Sequence, residues 1–122
     1  MSSPLAGLEY IVTFCSASDG YADVLHLTVR HAFAADGSFT TEVLGGPGGA
    51  LPDVRPAGRA ELIAEQGESL IFRSRVAGEG AVATTVLTLH SASAAEVFST
   101  SGEEWVRGVA AIVALPAIAH DH

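Results

Sequence analysis

The sequence predicts an all-β protein, an eight-stranded antiparallel meander β-barrel. Turn signals recur at nearly regular intervals along the 122 residues, and the runs between them alternate apolar and polar residues. Short connections favour antiparallel pairing of successive strands, which makes a meander. Closing eight such strands into a barrel removes the exposed edges of the sheet.

The turn signals divide the chain into eight predicted strands. They lie at about 8–16, 22–34, 38–44, 58–65, 69–76, 81–90, 95–100 and 104–114. The last segment has an alternative, because Ser101 and Glu104 have the spacing of a helix capping box. Gly108 and the β-branched residues around it oppose a helix. We therefore predict a strand there, with an amphipathic helix as the alternative.

A Gly/Pro-rich segment, LGGPGGALPDVRPAG, separates the third and fourth predicted strands. Only about 44 residues precede it, too few for a separate stable domain, so we expect one domain over 1–122. The segment lacks the lysine and the following helix of a phosphate-binding loop. Long loops in compact domains are often functional. We predict a lid over one barrel end at 45–58, with Leu51 and Val54 as its ligand contacts.

Composition excludes several classes of function. The net charge of −8 disfavours nucleic acid and anionic membranes as partners. All six basic residues are arginines, so no lysine is present for Schiff-base chemistry. Cys15 is the only cysteine and is expected to act as a small hydrophobe. No zinc-ligand spacing occurs, and the histidines at 120–122 suit a frayed terminus, so we expect no metal and no cofactor.

The cellular setting is inferred from what the sequence lacks and prefers. The N-terminus lacks the charged and apolar regions of a secretory signal, and the apolar run 109–119 is too short to span a bilayer. We therefore expect a cytoplasmic protein. The use of arginine in place of lysine, with many alanines, suggests a bacterial source.

The alternating faces indicate which side chains line the barrel. The second strand places Leu25, Leu27, Val29, His31 and Phe33 on one face. A barrel of eight strands either fills its interior with side chains or holds one small ligand. The proposed inner faces of the fourth and sixth strands carry small side chains, namely Ala60, Ala64, Ala83 and Thr85. These small residues favour a cavity.

Three residues are the candidate catalytic groups. His31 is an inward histidine and suits acid–base chemistry near neutral pH. Tyr10 and Trp105 each combine an apolar ring with a polar tip that can contact a ligand. The residues expected to contact the ligand, besides Leu51 and Val54, are Phe14, Leu27, Val29, Phe33, Phe72, Ala83, Thr85 and Leu87. The alternative for each is an ordinary core position.

Charged residues are assigned mainly to the surface. Arg73 and Arg75 are expected to pair with Glu61 and Glu65 across a hairpin. His26 and Arg30 are expected to face solvent. Glu42 is read as a surface carboxylate, or as the partner of an arginine at the barrel mouth.

Two stretches carry a resemblance to a known family. LTVRHAFAADGSFTTEV at 27–43 and LIFRSRVAGEG…LTLHS at 70–91 resemble strand-and-turn motifs of the YceI-like polyisoprenoid-binding proteins. The segment between the two stretches is shorter here than in that family. The resemblance implies a lipocalin-like barrel with an apolar chain inside. In size and architecture the chain is also similar to small β-barrel cyclases of bacterial polyketide pathways.

The expected partner is a small hydrophobic ligand held in the barrel. We expect a cyclase or isomerase of a natural-product-like substrate, acting by holding the substrate in its reactive shape. A non-catalytic carrier of a lipid or isoprenoid is one alternative. Another is an interaction module that uses the apolar C-terminal run 109–119 to form a homodimer.

Overall fold

The computed structural model describes residues 3–46, 53–76 and 82–116, with the backbone alone described at 53–57 and at 76. A 3-10 segment, Asp19–Val24, precedes the second strand. The strands in these ranges are β1 (Glu9–Ala17), β2 (Thr28–Phe33), β3 (Ser38–Gly45), β4 (Asp53–Gln66), β5 (Ser69–Val76), β6 (Val82–Leu89), β7 (Ala94–Ser101) and β8 (Glu104–Ala114).

The strands form a closed barrel in sequence order. Each strand pairs antiparallel with the next, and β8 closes the barrel by pairing with β1. This confirms the predicted antiparallel meander. We call the end where β1 begins the lower end and the end where β1 finishes the upper end.

The last segment is a strand, so the helical alternative is wrong. β8 is hydrogen-bonded on both sides, to β7 and to β1. Glu104, which has capping-box spacing from Ser101, has another role. Its carboxylate accepts hydrogen bonds from the Ser18 hydroxyl and, at 2.8 Å, from the Gly20 amide. It therefore holds the 3-10 segment against the start of β8.

The second strand begins later than the alternation predicts. Residues 19–24 take the 3-10 conformation, and His26 has a left-handed φ of 68°. A residue with positive φ does not continue a β-strand. Leu25 therefore lies in the connection to β2 and not on a strand face.

The predicted lid is wrong in its bounds. β3 extends to Gly45 and β4 begins at Asp53, so much of 45–58 belongs to the barrel wall. Val54 is a strand residue opposite Glu42. Pro56 lies opposite Thr40, beside a register shift, which is a position where a strand tolerates proline. Leu51 lies outside the described residues.

A register shift in β4 overturns the predicted inward position of Ala64. The pairing passes from Leu62 opposite Phe72 to Ala64 opposite Ile71, with Ile63 as the extra residue. Directly opposed residues share a face, and Ile71 is on the outer face. The bulge therefore turns Ala64 outward, while Ala60 keeps its buried, inward position.

The N-terminal segment closes the lower end of the barrel. Its backbone is tied to the β2–β3 connection, with the Ser3 amide 2.8 Å from the Ala35 carbonyl and the Gly7 amide 3.0 Å from the Phe33 carbonyl. Leu5 and Leu8 are almost completely buried there. These two side chains join the core of the barrel as a plug.

Candidate functional site

The lower half of the barrel interior is filled by large side chains. The register places side chains from all parts of the wall on the inner face, and the largest of them are deeply buried. They include Tyr10, Val12, Leu70, Phe72, Leu87 and Val97. This half is an ordinary core and leaves little space for a ligand.

The upper half is lined differently. Its inward-facing side chains are mostly small or polar, and they keep part of their surface exposed. They are Phe14, Leu27, His31, Thr41, Val43, Ser74, Ala83 and Ser99. Val29, Thr85 and Val106 are their buried neighbours at this end. We call this region the upper lumen.

An aromatic cluster separates the two halves. Phe33 stacks on Phe39 at 5.4 Å between ring centroids and meets Phe72 edge-on at 5.3 Å. Tyr10 stacks on Phe33 at 6.1 Å and lies 5.4 Å from the His31 ring. Such pairs are favourable and restrict ring motion. The cluster gives the upper lumen a rigid aromatic floor.

His31 is one of the two titratable groups at this floor, with Tyr10. Its Nδ1 lies 3.0 Å from the Thr41 hydroxyl oxygen on the next strand. Burial disfavours the imidazolium and lowers the pKa of His31 to about 4, an effect that a hydrogen bond to the Thr40 backbone only partly opposes. His31 is therefore neutral at pH 7, with one ring nitrogen as donor and the other as acceptor.

Tyr10 lies directly opposite His31 across the β1–β2 pair. It is buried, and this burial raises the pKa of its phenol far above the usual value. The phenol therefore keeps its proton at any physiological pH. The structure thus places two of the three predicted catalytic residues next to each other, both as uncharged groups.

The predicted role of Trp105 in the same site is wrong, because Trp105 lies on the outer wall. Val106 and Gly108 take the inward positions at this end of β8, so alternation directs Trp105 outward. Its ring stacks on Phe98 at 6.1 Å, and the Arg107 guanidinium lies 5.4 Å from the Phe98 centroid. The wall separates it from Tyr10 and His31.

The predicted ligand contacts divide between the two halves. Phe14, Leu27 and Ala83 line the upper lumen, with Val29 and Thr85 buried beside it. Phe33 and Phe72 contribute to the aromatic floor, and Leu87 is buried below it. No side-chain position is described for Leu51 or Val54.

Hydroxyl groups on β5 and β7 were missed as site residues. Ser74 and Ser99 face the upper lumen, and the Ser99 oxygen lies 2.7 Å from the Thr85 hydroxyl oxygen. Alternation alone placed Ser74 on the inner face with Phe72. Ser99 had the same signal, since it follows the buried Val97 by two residues.

Two arginines, Arg30 and Arg73, pair with carboxylates on the outer wall. Arg30 lies between two carboxylates, 3.4 Å from Glu9 and 3.7 Å from Glu42, which confirms its outward position. Arg73 pairs with Glu61 at 3.8 Å, as predicted, whereas Arg75 lies opposite Arg59 and not opposite Glu65. Where side chains are described, the upper lumen contains no charged group.

A second depression lies at the lower end, away from these residues. It has a volume of about 250 Å³ and is bordered by the β4–β5 and β6–β7 turns, with Leu70, Leu89 and Leu115 at its apolar side. None of the three predicted catalytic residues borders it. The upper lumen is therefore the site that the predicted residues define.

The described residues contain no cluster of histidine, cysteine or acidic side chains suited to hold a metal ion. Within the same residues, no helix has the length and hydropathy needed to cross a membrane. No protein-family model matches the chain, and no curated protein or solved structure is significantly similar to it.

Proposed function

We propose that this barrel binds one small, uncharged hydrophobic molecule in the upper lumen. The observation that carries the proposal is the difference in side-chain size between the halves. Large buried side chains fill the lower half, whereas the inward side chains of the upper half are mostly small or polar and partly exposed. A largely apolar concave site with a few polar groups is typical of small-molecule binding.

The function that this site supports best is a cyclase or isomerase of a polyketide-like substrate. Rigid walls hold a flexible chain in a folded shape and bring its reacting atoms together, which lowers the entropic part of the barrier. An intramolecular cycloaddition suits such a site, because it rearranges bonds within one molecule and transfers no proton. Neutral His31 and the protonated Tyr10 lie at the floor, where they can support a polarised carbonyl by hydrogen bonding.

A non-catalytic carrier of a lipid or isoprenoid is the second candidate. It is the function implied by the resemblance to the polyisoprenoid-binding proteins, and it uses the same lumen. The aromatic floor favours the cyclase reading over this one, because a long polyisoprenoid chain needs an extended cavity and the lower half is filled.

An interaction module is the third candidate, and a separate observation favours it. Val109 and Val113 are 58% and 52% exposed on the outer face of β8. Exposed apolar side chains on the same strand suit contact with a second copy of the chain. Light scattering of the wild type and of Val109→Glu tests this homodimer, which predicts a dimer that the substitution dissociates.

Binding in the upper lumen is tested with a fluorescent probe and two matched variants. N-phenyl-1-naphthylamine, a neutral apolar dye, is titrated into the wild type, Ala83→Phe and Thr84→Phe. Ala83 faces the lumen and Thr84 faces outward, so we expect Ala83→Phe to weaken binding at least tenfold and Thr84→Phe to change it less than twofold. Equal effects of the two variants, or no binding by the wild type, would contradict the proposed site.

Turnover separates the enzyme from the carrier. Linear polyene substrates bearing a carbonyl are incubated with the protein and analysed by chromatography with mass spectrometry. A cyclase yields a product of unchanged mass and altered retention time, and we expect His31→Gln and Tyr10→Phe to slow its formation. Recovery of only unaltered ligand would favour the carrier.

A further inference from the structure

We propose that the hydroxyl pair Thr85–Ser99 is a binding subsite for a neutral acceptor oxygen, such as a carbonyl or ether oxygen, on the ligand. This inference rests on the proposed function, since it requires a ligand in the upper lumen. It predicts that the ligand carries an oxygen on one side. The shape and burial of the lumen alone do not specify this feature.

The pair is built into the wall of the upper lumen. Thr85 and Ser99 lie directly opposite each other on β6 and β7, with their oxygens 2.7 Å apart. Thr85 is 5% exposed, and among the described residues it is the one polar residue that is buried. Ser99 keeps part of its surface accessible. A buried hydroxyl requires a partner, because leaving it unpaired carries a free-energy cost.

The two hydroxyls have more donors than they use. Each carries one O–H, and one of the two donates to the other oxygen. Whichever residue is the donor, the partner's own hydrogen is left over. Among the described residues, neither side chain forms another hydrogen bond. The remaining hydrogen is therefore available to an acceptor in the lumen.

The neighbouring hydroxyls show on which wall of the lumen this subsite lies. Ser74 lies on the adjacent strand β5 and faces the same lumen. Ser101, further up β7, is already used, because its hydroxyl donates to the Val82 carbonyl at 3.1 Å. Ser74, Thr85 and Ser99 thus form one polar edge of the lumen on β5, β6 and β7.

The wall on the β1, β2 and β3 side carries apolar side chains beside His31 and Thr41. Phe14 and Leu27 belong to β1 and the connection before β2, and Val43 belongs to β3. A ligand that fits both walls has a hydrocarbon side and an oxygen-bearing side. The side chains described on these walls are uncharged, which favours a ligand without formal charge. The class of ligand is therefore an oxygenated, uncharged, mainly hydrocarbon molecule.

The barrel supplies its own controls for this inference. Ser69 and Thr88 form the same kind of cross-strand hydroxyl pair at 3.1 Å, but on the outer face. Substituting that pair removes the same atoms without altering the lumen. Ser69→Ala and Thr88→Val are therefore matched to Ser99→Ala and Thr85→Val.

The test uses two probes that differ by one oxygen. The ketone is 6-propionyl-2-(dimethylamino)naphthalene, and the analogue carries a propyl group in its place. Both are measured by displacement of N-phenyl-1-naphthylamine from each variant. We expect Ser99→Ala and Thr85→Val to weaken the ketone roughly three- to tenfold, the range of one neutral hydrogen bond, and to leave the hydrocarbon within twofold. Ser69→Ala and Thr88→Val are expected to change neither.

The bound ketone offers a second readout. Its emission shifts to longer wavelength when a hydrogen bond is donated to its carbonyl, so the lumen variants should shift the emission to shorter wavelength. Urea unfolding confirms that each variant is folded, and Ser99→Ala is the milder change should Thr85→Val be unstable. If both probes bind but the lumen variants weaken them equally or not at all, the subsite is wrong and the lumen site stands. If neither probe binds the wild type, both proposals fail.

Discussion

The lower and upper halves of the barrel share one backbone plan and differ in side-chain volume. Both alternate inward and outward residues along the same strands. The lower half places Phe72, Leu87 and Val97 inward, whereas the upper half places Ala83, Ser99 and Gly108 inward on the same or neighbouring strands. An eight-stranded barrel is close to the size at which side chains just fill the interior. The sizes of a few inward side chains therefore determine whether the interior is a filled core or a ligand cavity.

The wall at the upper end is fastened at several points. Glu104 fixes the 3-10 segment to β8 through Ser18 and Gly20. Gly108 lets β8 lie close to β1, since a Cβ there would be 2.6 Å from the Thr13 carbonyl oxygen. Both features fix how the backbone of β8 lies against its neighbours.

The largest expected effect comes from truncating one aromatic ring in each half. Phe72→Ala should lower the free energy of unfolding by about 3–5 kcal/mol, because it opens a cavity in a packed core. Phe14→Ala removes a partly exposed ring and should cost roughly 1–2 kcal/mol. Urea denaturation of both variants measures the difference. Equal losses would mean that the upper half is packed as tightly as the lower.

A pH-dependent effect is expected where the halves meet, at His31. Its pKa is lowered to about 4 in the folded protein, against about 6.5 when unfolded. Between these values the unfolded chain binds a proton that the folded chain does not, so stability falls as the pH drops through this window. We expect His31 to remove roughly 2–3 kcal/mol of unfolding free energy between pH 7 and pH 4.

The measurement compares wild type with His31→Gln. Acidic residues titrate in both proteins, so their contribution cancels in the difference between the two pH profiles. A shallower profile in His31→Gln confirms a buried, neutral imidazole. Identical profiles would place His31 in bulk-like water, and the floor of the upper lumen would then be wrongly described.

Enlarging one alanine in each half gives the next largest effect. Ala95 faces the filled interior and is buried, whereas Ala83 faces the upper lumen and is partly exposed. Ala95→Leu should destabilise the protein by about 1–3 kcal/mol, because a full core has no room for three more carbons. Ala83→Leu should change stability by less than about 1 kcal/mol. Thermal and urea unfolding measure both changes in stability. A large loss of stability in Ala83→Leu would show that the upper lumen is already full.

Sequence alternation predicts the fold well because it depends only on local pattern. The barrel, its meander order and the last strand are confirmed, as are the inward positions of His31, Phe72 and Thr85. Each lies on the face of its strand that carries the most deeply buried apolar residues. In such a strand the alternation of residues determines which side chains share a face. The hydrophobic effect then buries the apolar face.

The errors arise where the local sequence pattern does not determine which residues face inward. The bulge at Ile63 inserts one residue and reverses the faces beyond it, and no residue near Ala64 signals it. β8 is apolar on both faces, with Val109, Ala111 and Val113 outward, so its sequence does not reveal which side Trp105 takes. Both features depend on pairing with neighbouring strands.

The smallest expected effect comes from Trp105, and it tests the outer wall directly. Trp105→Ala should leave the dissociation constant of N-phenyl-1-naphthylamine within twofold of the wild type, because the ring stacks on Phe98 outside the barrel. Phe14→Ala, on the inner face, serves as the comparison and should weaken the same dye several-fold. The stability loss of Trp105→Ala, roughly 1–2 kcal/mol, reports the broken stacking and lost burial. Loss of dye binding in a folded Trp105→Ala protein would mean that a ligand also uses the outer wall, and the division into a closed core and one open lumen would need a second site.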